Sequence, residues 1–175
     1  MFHVIISNIY NSELVKEGWS IFRADRCNRS GGGAAIYIKS DFIVTDILSS
    51  STDMCEAIAL YLPSHNLAVI NIYRPPSCRT EDFQITIHKI NTWLSDIENK
   101  YKTTPTIILT GDMNFPLMKS WDHSEITNFF RKYIRESNDS HIGTIKLQTK
   151  FLSEFTQDHY LNQFITRATR KTCWT

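Results

Sequence analysis

Cysteine is scarce here: four residues, Cys27, Cys55, Cys78 and Cys173, at wide and irregular spacings in 175 residues. No Cys-x-x-Cys pair occurs, which argues against a zinc site, and free thiols are expected rather than a disulfide framework. Glycine and proline are also few, six and five residues, which excludes collagen-like and low-complexity chains. No apolar run approaches the roughly 18–20 residues of a bilayer span. The opening Met-Phe-His-Val-Ile-Ile has neither a basic flank nor a small-residue cleavage site, so it does not read as a signal peptide. An intracellular location, nuclear or cytoplasmic, is expected rather than secretion, with no membrane partner. Excess charge is missing too. Nineteen basic residues face eighteen acidic ones, for a net charge of +1, and that balance makes no bulk electrostatic case for a polyanion. Only two local clusters stand out: Arg23, Arg26 and Arg29 against Asp25, and Arg167, Arg170 and Lys171 near the end. The nucleotide fingerprints and the serine nucleophile elbow are absent as well.

What is present is one domain's length of alternating strand and helix signals. A short strand is expected over residues 20–23 and another over residues 34–38, joined by a polar, glycine-rich turn. Residues 56–62 and 67–73 are almost continuously apolar, as in strands buried on both faces. Pro63-Ser64-His65-Asn66 supplies turn residues between them, and Pro75-Pro76 ends the second. Phe83, Ile87, Ile90, Leu94 and Ile97 recur at steps of four and three, which predicts a helix. Thr80 is its expected cap, with Glu81 and Asp82 in the first turn where the helix dipole favours acids. Pro105 stops it. A short buried strand over residues 106–110 then ends in the turn Gly111-Asp112-Met113-Asn114. Further on, a helix is expected over residues 124–134 and a loop over 136–144. A helical stripe of Leu147, Phe151, Leu152 and Phe155 follows, then a strand over residues 162–165. The pattern is α/β (α+β), with helices packed on sheets.

Two strand exits carry the chemistry. Asp112 and Asn114 bring a carboxylate and an amide to the end of a buried strand, where α/β sheets bind ligands. A carboxylate there can hold a divalent ion or take a proton from water, and an amide can orient phosphate; a plain Asx turn is the alternative. Tyr73 and Arg74 place a phenol and a guanidinium at the other exit, both suited to phosphate; a core-capping tyrosine and a solvated arginine are the alternative. Gly31-Gly32-Gly33 can cradle phosphate through backbone N–H groups, but a hairpin turn is the simpler reading. Asp122-His123 and Asp158-His159 read as surface pairs rather than acid–base dyads.

Taken in order, Arg23-Ala24-Asp25-Arg26, Gly31 to Lys39, Cys55-Glu56, Asn71-Ile72-Tyr73-Arg74-Pro75-Pro76, Gly111-Asp112-Met113-Asn114-Phe115-Pro116 and Asn162 to Arg170 resemble the endonuclease domain of non-LTR (LINE-type) retrotransposons. That family belongs to the endonuclease/exonuclease/phosphatase superfamily. The resemblance implies a four-layer sandwich of two mostly antiparallel sheets flanked by helices, spanning residues 1–175 as a single partial domain. It implies cleavage of DNA phosphodiester bonds with Mg²⁺ or Mn²⁺, and a longer parent with retroelement RNA or a reverse transcriptase domain as partners. By position, Asp112 resembles the residue that activates water, Asn114 the ion- and phosphate-orienting amide, and Tyr73 the tyrosine on the scissile phosphate. Asp112 and Asn114 then form the metal side of the site, with Arg74, Thr169 and Arg170 on phosphate.

The family's leading Asn, metal-binding Glu, later Asp and closing Ser-Asp-His have no counterparts in this order; His3 lies near the place of the Glu, and Asp158-His159 precedes the Thr-Arg motif. A domain incomplete at both ends is therefore expected, with impaired hydrolysis, since members of a catalytic set act together. The alternative is an inert remnant that binds nucleic acid weakly through Arg23, Arg26, Arg29, Arg167 and Arg170. A phosphatase of the same superfamily fits the glycine and Asn-Ile-Tyr-Arg-Pro-Pro motifs less well.

Overall fold

The computed structural model describes residues 2–3, 10–26, 32–115 and 142–162. It divides the chain into two units, Met1–Asn114 and Phe115–Thr175. In chain order the described elements of the first unit are β1 (Phe2–His3), α1 (Asn11–Leu14), β2 (Trp19–Ala24), β3 (Ala34–Lys39), β4 (Asp46–Ser51), β5 (Glu56–Leu62), β6 (Leu67–Tyr73), α2 (Thr80–Tyr101) and β7 (Thr106–Asp112). The second unit contributes α3 (Ile142–Asp158). The class is α+β, as expected, with two mostly antiparallel sheets.

The smaller sheet runs β1-β3-β2 and the larger β4-β5-β6-β7. All pairs are antiparallel except β6 and β7. That exception follows from the connection. A helix between two strands carries the chain back to the starting end, so the second strand enters parallel to the first.

Side chains alternate along each strand, and the larger sheet uses both faces. Ile58, Leu60, Leu62 and Val69 meet Ala24, Ala34 and Ile36 of the smaller sheet in one buried core. Asn71 points the same way, and its Nδ2 donates to the Ala35 carbonyl at 3.0 Å, so a polar tie crosses between the sheets. On the other face Ala57, Ala59, Tyr61, Ala68, Ile70 and Ile72 are buried, and α2 packs against β4 and β5. The buried stripe of α2 contains all five expected residues, Phe83, Ile87, Ile90, Leu94 and Ile97. At the far end of α2, Lys100 Nζ and the Tyr101 hydroxyl donate to the two Asp46 oxygens at 2.8 and 2.7 Å.

Several boundaries differ from the sequence expectations. Arg79, not Thr80, is the residue before α2, and no side chain caps that end. The helix closes at Lys102 in a left-handed conformation, with its N–H on the Glu98 carbonyl. Strand β4 was not anticipated: Asp-Ile-Leu-Ser-Ser-Ser is polar, and half of its Ile47 surface is exposed. β7 continues through Gly111 and Asp112, so the turn starts two residues later than expected. Residues 142–144 open α3 instead of ending a loop. Within α3, Leu152 and Phe155 are buried, but Leu147 is exposed and Ile145 takes its place. The helix expected over 124–134 and residues 163–165 of the last expected strand lie outside the described residues. Cys55 and Cys78 are free thiols; Cys27 and Cys173 lie outside. Among the described residues, no helix is long and apolar enough to cross a membrane.

Candidate active site

Strand register assembles the site. Tyr73 stands opposite Asp112 in the β6–β7 pair and opposite Glu56 in the β5–β6 pair. The three residues therefore form one row across the larger sheet, about 4.8 Å from strand to strand, on one face. It is the face turned to the smaller sheet, since Ile58 and Leu60 lie on it.

Gly111 makes the close approach of β6 and β7 possible. Its φ is +130°, and a Cβ there would stand 1.9 Å from the Ile72 carbonyl oxygen and 2.7 Å from the Ile72 nitrogen. The glycine thus serves strand contact; the sharp turn falls at Asn114, whose φ is +47°, in the left-handed region that Asn tolerates better than most residues.

Beyond the strands the two exits hold each other. The Arg74 backbone N–H donates to the Asp112 carbonyl at 2.9 Å, one step past the β6–β7 ladder. Asn114 Nδ2 donates back to the Arg74 carbonyl at 2.9 Å. The Asn114 N–H donates to Asp112 Oδ1 at 3.3 Å, the bond of an Asx turn, the alternative reading of this tetrapeptide. Arg74 NH1 donates to the Met113 and Asn114 carbonyls at 3.0 and 3.3 Å.

The reading of Arg74 as a phosphate contact is corrected by this geometry. The residue is 1% exposed, and its guanidinium holds the 113–114 backbone from inside. Burial lowers its basicity, opposed by the neighbouring Cys78 and Cys55 thiols. Those thiols form a pair. Hydrogen bonding to Cys78, then burial, pushes Cys55 up, while the bond from Cys55 and, after burial, the charge of Arg74 draw Cys78 down.

Sequence reasoning missed the other end of the row. Glu56 is fully buried, and both its oxygens accept from Arg26, Oε1 from Nε at 2.6 Å and Oε2 from NH2 at 3.1 Å. The Arg26 guanidinium carbon lies 5.5 Å from the Tyr73 ring centre, over its face. Gly32, with φ of +97°, leaves space for it: a Cβ there would sit 2.8 Å from Arg26 Cζ. β2 and β3 pair antiparallel as expected of a hairpin, and Gly32 also accommodates an arginine; Gly31 lies outside the described residues. Of the other expected residues, Arg23 pairs with Asp25. Thr169, Arg170, Arg29 and Arg167 lie outside the described residues. His159 packs on the Phe155 ring at 4.6 Å between centres, in the second unit.

The donor set at the row's end is one carboxylate, Asp112, and one amide, Asn114. That suits a hard cation such as Mg²⁺, which is usually held by one or two carboxylates and completes its shell with water and substrate phosphate. Among the described residues, no group of three or more His, Cys, Asp or Glu side chains is placed to hold a metal, so substrate and water would supply most of the shell. The Tyr73 hydroxyl makes no hydrogen bond within the described residues and is half-buried, which leaves a donor for a ligand. Compared with protein-family models and with curated proteins, the sequence matches none.

Proposed function

We propose that the Tyr73–Asp112–Asn114 ledge is a phosphodiester-hydrolysing site that acts on DNA with a divalent cation, Mg²⁺ or Mn²⁺, and that nicking by this chain is slow. The observation that carries the reading is the register that sets Tyr73 beside Asp112, with Asn114 bridging the two strand exits. In it the Tyr73 hydroxyl donates to a non-bridging phosphate oxygen. The Asp112 carboxylate orients the attacking water and accepts its proton as the water oxygen bonds phosphorus and the opposite P–O ester bond breaks, the departing alkoxide taking its proton from solvent. Asn114, fixed through its Nδ2, leaves its Oδ1 to the ion or to that water. A bound cation adds charge neutralisation of the phosphoryl oxygens. Slowness follows from the short donor set, because catalytic groups act as a unit.

The same reading makes the chain part of a retroelement endonuclease, working inside the cell in the nucleus or cytoplasm, with retroelement RNA or a reverse transcriptase domain as partners of a longer parent. A second reading, a remnant that binds nucleic acid weakly without hydrolysis, loses Arg26 as a contact, because its guanidinium is held by Glu56. Fluorescence anisotropy with a labelled DNA duplex tests the site. Mg²⁺ is expected to tighten binding by about tenfold, or about 1.4 kcal/mol, reversed by chelation. Asp112→Ala should remove that gain and leave the metal-free affinity in place. Equal gains in both proteins would move the cation away from Asp112.

A further inference from the structure

We propose that Glu56 is a positioning residue of this site, acting through Arg26 to fix the Tyr73 ring. The inference rests on the reading of the ledge as a phosphodiester-hydrolysing site.

Three observations meet here. First, Glu56 shares a cross-strand row with Tyr73, and neighbours in such a row are about 4.5–5.5 Å apart at Cβ. Second, its carboxylate is fully buried and binds Arg26 at two points, so the guanidinium has one orientation. Third, that orientation lays Arg26 over the face of Tyr73 at 5.5 Å, and Gly32 keeps the space open. The chain of contacts runs from a side chain with no solvent exposure to the phenol proposed to meet phosphate.

Stability alone does not account for this pair. A buried ion pair is often neutral or unfavourable against a well-packed apolar pair of the same volume. Ile58 and Leu60 fill the same face of β5 without charge. The pair stands instead where the row reaches Tyr73. A fork bound at two points confines a long side chain more tightly than a point charge does. With Arg26 seated, Tyr73 loses the freedom to swing over that side, and its hydroxyl keeps one direction. Arg26 also adds a positive charge beside an incoming phosphodiester. Its basicity is raised first by the Glu56 hydrogen bonds, so the charge persists at any working pH.

The test uses the full chain with ¹³C-labelled tyrosine rings, the Tyr73 signal being assigned by its disappearance in Tyr73→Phe. In Glu56→Gln the signal is expected to move most of the way to its position in Arg26→Met. Plasmid nicking by Glu56→Gln should fall about tenfold or more in kcat with little change in KM, and Arg26→Lys should not restore it. An Arg26→Met/Glu56→Met double variant, which replaces charge with apolar volume, should melt within a few degrees of the parent yet show the shifted Tyr73 signal. That separates positioning from folding. A Tyr73 signal unmoved in Glu56→Gln and in the double variant overturns the proposal. So does a kcat that matches the parent in an active enzyme. A parent that does not nick, with the Tyr73 signal moving as expected, overturns the hydrolytic reading and supports the positioning role.

Discussion

Gly111→Ala is expected to remove a large share of the stability of the first unit, at least about 4 kcal/mol, against a typical total of about 5–15 kcal/mol for a domain. The added Cβ would lie 1.9, 2.7 and 2.8 Å from three backbone atoms of Ile72. Those atoms belong to β6, whose residues are buried from Ala68 to Ile72, so no flexible side chain can yield. The φ of +130° adds strain for any residue with a Cβ. Relief would require β7 to separate from β6, which breaks the pairing that sets Tyr73 beside Asp112. Urea unfolding followed by circular dichroism checks this. A midpoint lowered by less than the equivalent of about 1 kcal/mol, with an unchanged slope, would mean that β6 and β7 do not approach as described.

The second large effect is at Arg74. Arg74→Ala is expected to cost about 3–5 kcal/mol, in the range for breaking a buried charged contact or emptying a core site. The Met113 and Asn114 carbonyls lose their donor, and a cavity opens where a large side chain had been 1% exposed. Arg74→Lys should recover only part of the loss, because one ammonium does not reproduce the planar fork. The two outcomes also separate scaffold from contact. An Arg74 that touched phosphate from solvent would change DNA affinity and its salt dependence, with stability within about 0.5 kcal/mol of the parent.

The central strands and α2 were legible because their signals are local. Residues 56–62 and 67–73 are apolar apart from Glu56 and Asn71, and the spacing of Phe83 to Ile97 has only one regular solution. β4 carries no such signal: among the described residues it pairs on one side only, with β5, and its three serines meet no requirement for apolar side chains. Asp112, Asn114 and Tyr73 could be named from sequence because they sit at or just past strand exits, although β7 is half-exposed rather than buried as expected; their meeting depends on register, which local pattern does not reveal. Arg74 was misread because arginine is almost never fully buried without partners, and its partners here, the 113 and 114 carbonyls, lie about forty residues away. Arg26 and Glu56 are thirty residues apart. Their pairing appears only after the β2–β3 hairpin is laid over β5.

The most direct measurement is nicking of supercoiled plasmid by the purified chain in Mg²⁺, beside Asp112→Asn. The account expects slow conversion to the open circle that stops on chelation and falls at least about 100-fold in the variant, as when one member of a catalytic set is removed, with both proteins melting cooperatively. Nicking that survives Asp112→Asn, or none at all from a cooperatively folded parent, would contradict it.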